Sequence, residues 1–174
     1  MALHIVIDGY NLIRQSRQFS DIDKLDMQMG REALISALAA YKKIKPYPIT
    51  VVFDGHTAET GMPRRNQMKG IRIRFSRSGE LADHVIKRMA SREKEKLLVV
   101  SSDLEIMNHA ESVGAAVLSS AEFEDRLIMA AYLDMKGADE EAPRVGKRTG
   151  TRKKGPARRL PKRKRKMQKK ISKL

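Results

Sequence analysis

A chain of 174 residues with 41% hydrophobic content can bury one modest core, and the absence of cysteine excludes disulfides, thiolate nucleophiles and cysteine-held zinc. The net charge of +15 is unevenly spread, because 16 Lys and Arg and no acid fall between Arg144 and Leu174 while residues 1–143 hold 20 basic and 21 acidic side chains. A nearly neutral body with a cationic extension separates affinity for an anionic partner from chemistry.

Leu3 to Ile7 is a short apolar run that stops on Asp8-Gly9, the pattern of a buried strand with a carboxylate at its carboxyl end, where open parallel sheets place their sites. A turn aspartate is the plainer alternative for that residue alone. Asp21 to Lys45, with Leu34, Ile35, Leu38 and Tyr41 on one face and Pro46 and Pro48 beyond, predicts a crossover helix. Ile49 to Phe53 is a second strand and again ends in Asp-Gly, at Asp54-Gly55. Gly61 to Gly70 reads as a loop, and Ile71 to Phe75 alternates apolar and basic residues as a strand with its basic face outward.

Glu80 to Ser91 predicts a helix burying Leu81, Val85, Ile86 and Met89. Leu97 to Val100 is a fourth strand, followed by Ser101-Ser102-Asp103; Ser102 with Glu105 fits a capping box that opens a helix ending at Gly114. Ala115 to Leu118 is a fifth strand, and Ser119 with Glu122 opens a last helix carrying Phe123, Leu127, Ile128, Ala131 and Leu133. Strands alternating with helices predict an α/β fold with a mainly parallel sheet covered on both faces. The expected division is a domain over residues 1–137 and a basic tail over 138–174, disordered without RNA, although Met167, Ile171 and Leu174 recur at helical spacing. No leader is visible at the amino terminus and the run Leu127 to Leu133 is too short to cross a bilayer. The expectation is a cytoplasmic protein without a membrane partner.

Asp8, Asp54 and Asp103 each follow a strand, and Glu80 and Asp83 lie three apart at a helix start. A parallel sheet brings strand ends to one edge, and carboxylates crowded there either take up protons or hold cations. Oxygen donors suit Mg²⁺ or Mn²⁺, and such a site hydrolyses phosphodiesters with metal-activated water, using one ion or a pair about 3.5–4 Å apart. Read one at a time, these acids are equally at home as helix caps and turn residues. A second aspartate two residues after Asp8, as haloacid-type phosphatases require, is absent because that place is Tyr10; no Gly-x-Gly-x-x-Gly follows the first strand either.

Ile7-Asp8-Gly9-Tyr10-Asn11-Leu12-Ile13, Val51 to His56, Phe75 to Asp83 and Ser101-Ser102-Asp103 together resemble the YacP-like NYN domains, a branch of the PIN-like nucleases. The resemblance runs over about residues 3–135. It implies a PIN-like three-layer sandwich and a metal-dependent endoribonuclease, with mRNA or ribosome-associated RNA as candidate substrates. By position it makes Asp8, Asp83 and Asp103 metal-site carboxylates, with Asn11, Asp54 and Glu80 supporting them or completing the metal shell.

For RNA binding, Arg64, Arg65, Lys69, Arg72, Arg74 and Arg77 lead into the acidic helix. Lys162, Arg163, Lys164, Arg165 and Lys166 in the tail offer a sequence-independent handle for RNA, ribosomal RNA and the ribosome included. The aromatic content of 5% argues against a base-stacking platform, and Tyr10 and His56 read first as structural residues. A non-catalytic RNA-binding or ribosome-associated adaptor is the rival reading, since the tail alone suffices for it.

Overall fold

The computed structural model describes residues 3–55, 65–139, 162–172 and 174. His56 and Arg64 lie outside them, as does the basic run before residue 162. Strands β1 (His4–Asp8), β2 (Ile49–Phe53), β3 (Arg65–Met68), β4 (Ile71–Phe75), β5 (Leu97–Val100) and β6 (Ala116–Leu118) form one sheet in the order β3-β4-β2-β1-β5-β6. All pairings are parallel except β3 with β4. Helices α1 (Gly9–Gln15), α2 (Arg17–Leu25), α3 (Met27–Ile44), α4 (Ala82–Glu93), α5 (Leu104–Val113), α6 (Ser120–Asp139) and α7 (Lys162–Ile171) complete the described chain. The expected α/β three-layer sandwich is what forms.

Side chains alternate across each strand, and the core divides accordingly. Ile5, Ile7, Val51, Phe53, Ile73 and Phe75 face α1, α2, α3 and α6, whereas Val6, Val52, Leu97 and Val99 face α4 and α5. With α7, which packs on the first of these cores, five helices cover one face and two the other.

Several local expectations are corrected. The helix expected over Asp21 to Lys45 is broken at Asp26, and the whole connection from β1 to β2 is three helices, because Ser16 and Asp26 each turn a side-chain oxygen onto the third backbone N–H ahead, at 3.2 and 2.8 Å, and start new helices there. The loop before β4 contains β3, joined to it by a two-residue turn in which Lys69 and Gly70 both have positive φ, the hairpin geometry that matches strand twist. Helix α5 is capped by Asp103, whose Oδ1 accepts from Glu105 and Ile106 N–H at 2.8 and 3.2 Å; Ser102 is used elsewhere. A carboxylate is the stronger acceptor at the positive end of a helix. The capping box of Ser119 and Glu122 does form. Leu81, Ile128 and Leu133 are exposed, and Ala130 takes the buried place on α6.

The expected boundary at residue 137 falls within α6, which continues to Asp139. Beyond the undescribed residues lies α7. Met167 and Ile171 pack on the core that α3 and α6 cover, Leu174 is buried, and Tyr41 Oη donates to the Leu174 carbonyl at 3.2 Å. The apolar spacing recognised in the tail is therefore spent on the protein's own core.

Candidate active site

Adjacent strands β2, β1 and β5 deliver Asp54, Asp8 and Asp103 to the carboxyl edge of the sheet. The two glycines that follow the first two aspartates are there for space. A Cβ on Gly9 would overlap the Phe53 ring, and one on Gly55 would overlap the Ser76 carbonyl oxygen. Close packing of the chain behind each aspartate is what the repeated Asp-Gly records.

Asp8 caps α1, its Oδ1 accepting from Asn11 N–H at 3.3 Å, and its Oδ2 accepts from the Ser101 hydroxyl at 3.3 Å. Burial pushes the Asp8 carboxyl up to about 6, with the charges of Asp54 and Asp103 adding to the rise and the Asn11 and Ser101 bonds opposing it. Three of the predicted acids are therefore electrically coupled at one place. Asp54 Oδ1 accepts from Ala82 N–H at 2.7 Å, which fixes the start of α4 over this edge. Asn11 Oδ1 accepts from Ser102 N–H at 2.8 Å and from the Ser120 hydroxyl at 2.7 Å, tying α1 to the turns after β5 and β6. Asn11 is thus a brace across three elements.

The acids of α4 have different company. Asp83, in the first turn, accepts at Oδ2 from Lys87 Nζ at 3.2 Å, and Lys87 also donates to Glu105 of α5. Asp83 Oδ1 is buried without a hydrogen bond, 3.8 Å from His84 Nδ1. Glu80 lies ahead of the helix and accepts from Arg88 Nη1 at 2.7 Å and from Arg77 N–H at 3.2 Å; the Arg88 bond chiefly holds its carboxyl below the usual range. Glu80 is committed to arginine.

Among the predicted RNA contacts, Arg72 and Arg77 are exposed and Arg74 is half-buried. Lys69 donates to Ser36 of α3 at 2.7 Å, from the hairpin turn. Arg65 lies in β3 and Arg165 is exposed on α7; the side chains of Arg65, Lys162, Arg163, Lys164 and Lys166 are outside the described set, as is Arg64. Tyr10 is a core residue, edge-on to Phe53 with ring centroids 5.0 Å apart. The residues that sequence reasoning missed are Ser101, Ser120, Lys87 and Glu105. Lys87 had a readable signal, four residues after Asp83 on a helix; the serine pairs that follow β5 and β6 were another.

A divalent ion fits the donor chemistry here. The donors are hard oxygens, the Asp83 Oδ1 atom is buried without a hydrogen bond, and burial first, with the charges of Asp54 and Asp103 after it, raises the proton affinity of Asp8. Among the described residues, however, no three carboxylate or imidazole groups stand ready to close around one ion. Water would have to complete the shell, as is usual for Mg²⁺.

The YacP-like NYN domain family model matches residues 5–173. The chain belongs to the YacP-like NYN family. The match takes in the basic carboxyl-terminal segment, which the motif resemblance had ended short of, in agreement with the packing of α7. The chain is 28% identical over 86 residues to the uncharacterized protein YacP of Bacillus subtilis strain 168, and it spans about half the length of that curated relative, since the aligned stretch is 49% of this chain and 50% of that one. Two crystal structures of Rae1 (YacP) from Bacillus subtilis share the fold. One, of a point mutant, has a TM-score of 0.65 at 23% identity and covers 80% of this chain and 86% of that one. The other has a TM-score of 0.67 at 22% identity, with 80% of each chain covered. NYN domains fall within the PIN-like nuclease superfamily. Nucleases of this kind usually use divalent metals. Among the described residues no helix is long and apolar enough to cross a membrane.

Proposed function

We propose that this chain is a metal-dependent endoribonuclease whose site is the carboxyl edge of the sheet. One observation carries the reading: the adjacent parallel strands β2, β1 and β5 end in Asp54, Asp8 and Asp103 at one edge of the sheet, where burial first, and then the charges of Asp54 and Asp103, make an ionised Asp8 costly, a cost that a cation would relieve. Asp8, Asp54 and Asp103, with Asp83 from α4, would hold Mg²⁺ or Mn²⁺, and the ion would lower the pKa of a bound water and offset charge on the phosphate. Asn11, Ser101 and Ser120 hold the edge in register, and Glu80, paired with Arg88, supports α4 from outside the donor set. RNA is the substrate in this reading. The basic residues of β4 and of the carboxyl-terminal segment supply sequence-independent affinity, with ribosomal RNA among the partners they suit.

The test is cleavage of total cellular RNA with Mg²⁺ or with EDTA, mapping new 5′ ends. Asp8→Asn and Asp103→Asn should each lower metal-stimulated cleavage at least a hundredfold while leaving RNA affinity within about threefold. Undiminished cleavage by both variants would reject the assignment.

A second reading, an RNA-binding adaptor without turnover, draws on the ion pairs that occupy Asp83 and Glu80 and on the lack of a ready three-carboxylate group among the described residues. RNA affinity without metal-stimulated cleavage of any RNA would favour it.

A further inference from the structure

Among the described residues, the side of the sheet that carries α4 and α5 leaves its β3–β4 end uncovered, and a groove of about 550 Å³ runs there beside the carboxyl-terminal half of α4. Arg72 and Arg74 of β4, Arg92 of α4 and Gln67 of β3 line it, with His4 and Thr50 toward its base. His4 is bonded on both nitrogens, to Glu93 Oε2 at 2.7 Å and Thr50 Oγ1 at 2.8 Å, so the one carboxylate among the described lining residues already has a partner. Arg72 and Arg92 are exposed and form no ion pair among the described residues. Those two leave the groove with an excess of positive charge.

Its register relates it to the site. Asp8 pairs with Val52 and Val52 with Arg74, which puts Asp8 and Arg74 on one rung and one face of the sheet, two strands apart, on the order of 10 Å. Arg72 stands two residues further from the carboxyl edge on the same strand and face, about 7 Å on, close to the spacing of neighbouring phosphates on an extended nucleic-acid strand. The cations thus form a line that begins beside the carboxylates and leads away from them, whereas a pocket for one free phosphate would gather them round a point.

We propose that this groove holds the phosphodiester backbone of a single RNA strand on one side of the cut, through Arg72, Arg74 and Arg92. The inference rests on the RNA reading above and adds to it a site and a cation, Arg92, that no motif marks.

The experiment uses the full chain in EDTA, so that nothing is cut, and a fluorescent single-stranded 12-nucleotide RNA followed by anisotropy across a salt series. Arg72→Gln/Arg92→Gln should weaken binding tenfold or more and lower the salt slope by about 1.4, two phosphates at roughly 0.7 each. A charge-matched control, Arg17→Gln/Lys24→Gln on α2, across the sheet, should stay within twofold. Equal losses in both pairs, or none in the first, overturn the groove, and so does competition by AMP as effective as that by the oligonucleotide, which would make it a site for one nucleotide. Cleavage in Mg²⁺ is scored separately. Selective loss of binding in a protein that never cleaves supports the groove and removes the nuclease reading, while unaltered binding in a protein that cleaves does the reverse.

Discussion

Asp8 is a carboxyl group held where its charge is costly. It titrates at about 6 when folded against about 3.9 in an unfolded chain, so the folded state binds the proton more tightly. The stability attached to that proton is complete below about pH 4 and lost as the pH rises through about 6. Asn at position 8 keeps an oxygen for the Asn11 N–H and carries no charge. Asp8→Asn should therefore be more stable than the natural chain at pH 7.5 by about 1–3 kcal/mol, with the difference closing near pH 4, as read from urea midpoints; the same offset at both pH values would contradict the burial argument. For the same reason metal-stimulated cleavage should climb between pH 5 and 7, as Asp8 becomes an anion able to bind a cation. At Gly55 the constraint is spatial. Gly55→Ala would force the backbone away from the Ser76 carbonyl oxygen and should cost about 1–3 kcal/mol in chemical denaturation, whatever its effect on cleavage.

At the level of elements, the candidate site is assembled largely from helix caps. Asp8 caps α1, Asp103 caps α5 and Asp54 anchors the first N–H of α4, so the residues that would do chemistry also decide where the helices begin. Substitutions can separate the two duties. Asp103→Ser keeps a capping oxygen and removes the negative charge, and it should leave stability within about 0.5 kcal/mol, whereas Asp103→Ala should cost about 1 kcal/mol. Both should abolish metal-stimulated cleavage, and a Ser variant that cleaves normally would reduce Asp103 to a cap. Lys87 shows the same economy between α4 and α5, since its ammonium joins Asp83 to Glu105 and locks the two helices that frame the edge.

Across the whole molecule, the segment that composition sets apart as a cationic tail ends as part of the body. Leu174 is buried, and Tyr41, its hydroxyl pushed up to about 12 by burial, reaches the Leu174 carbonyl. Ending the chain at residue 161 should therefore lower stability by about 2–5 kcal/mol, the cost of emptying a core position, and weaken RNA binding as well. Arg165→Gln/Lys169→Gln should spare stability and lower only the salt slope, by about 0.7 for each phosphate left unneutralised on single-stranded RNA. Equal melting temperatures for the truncated and full chains would show that α7 contributes nothing to the fold.

The amino-acid sequence by itself determined five of the six strands, the α/β class and the aspartates at three strand ends, because alternation, apolar runs and Asp-Gly junctions are local patterns that follow from the geometry of a strand and the room behind it; the short polar β3 carries no such pattern. It also carried the family, through motifs spread from Ile7 to Asp103. Only the tertiary structure decided which acids share a field, since the coupling of Asp54 and Asp103 to Asp8 depends on strands β2, β1 and β5 lying side by side. The same holds for the commitment of Glu80 to Arg88, for Asn11 reaching the turns after β5 and β6, and for the seating of Leu174 on a core built 133 residues earlier at Tyr41. Those interactions join residues far apart in the chain, and no periodicity within one segment encodes the partner that folding brings to it.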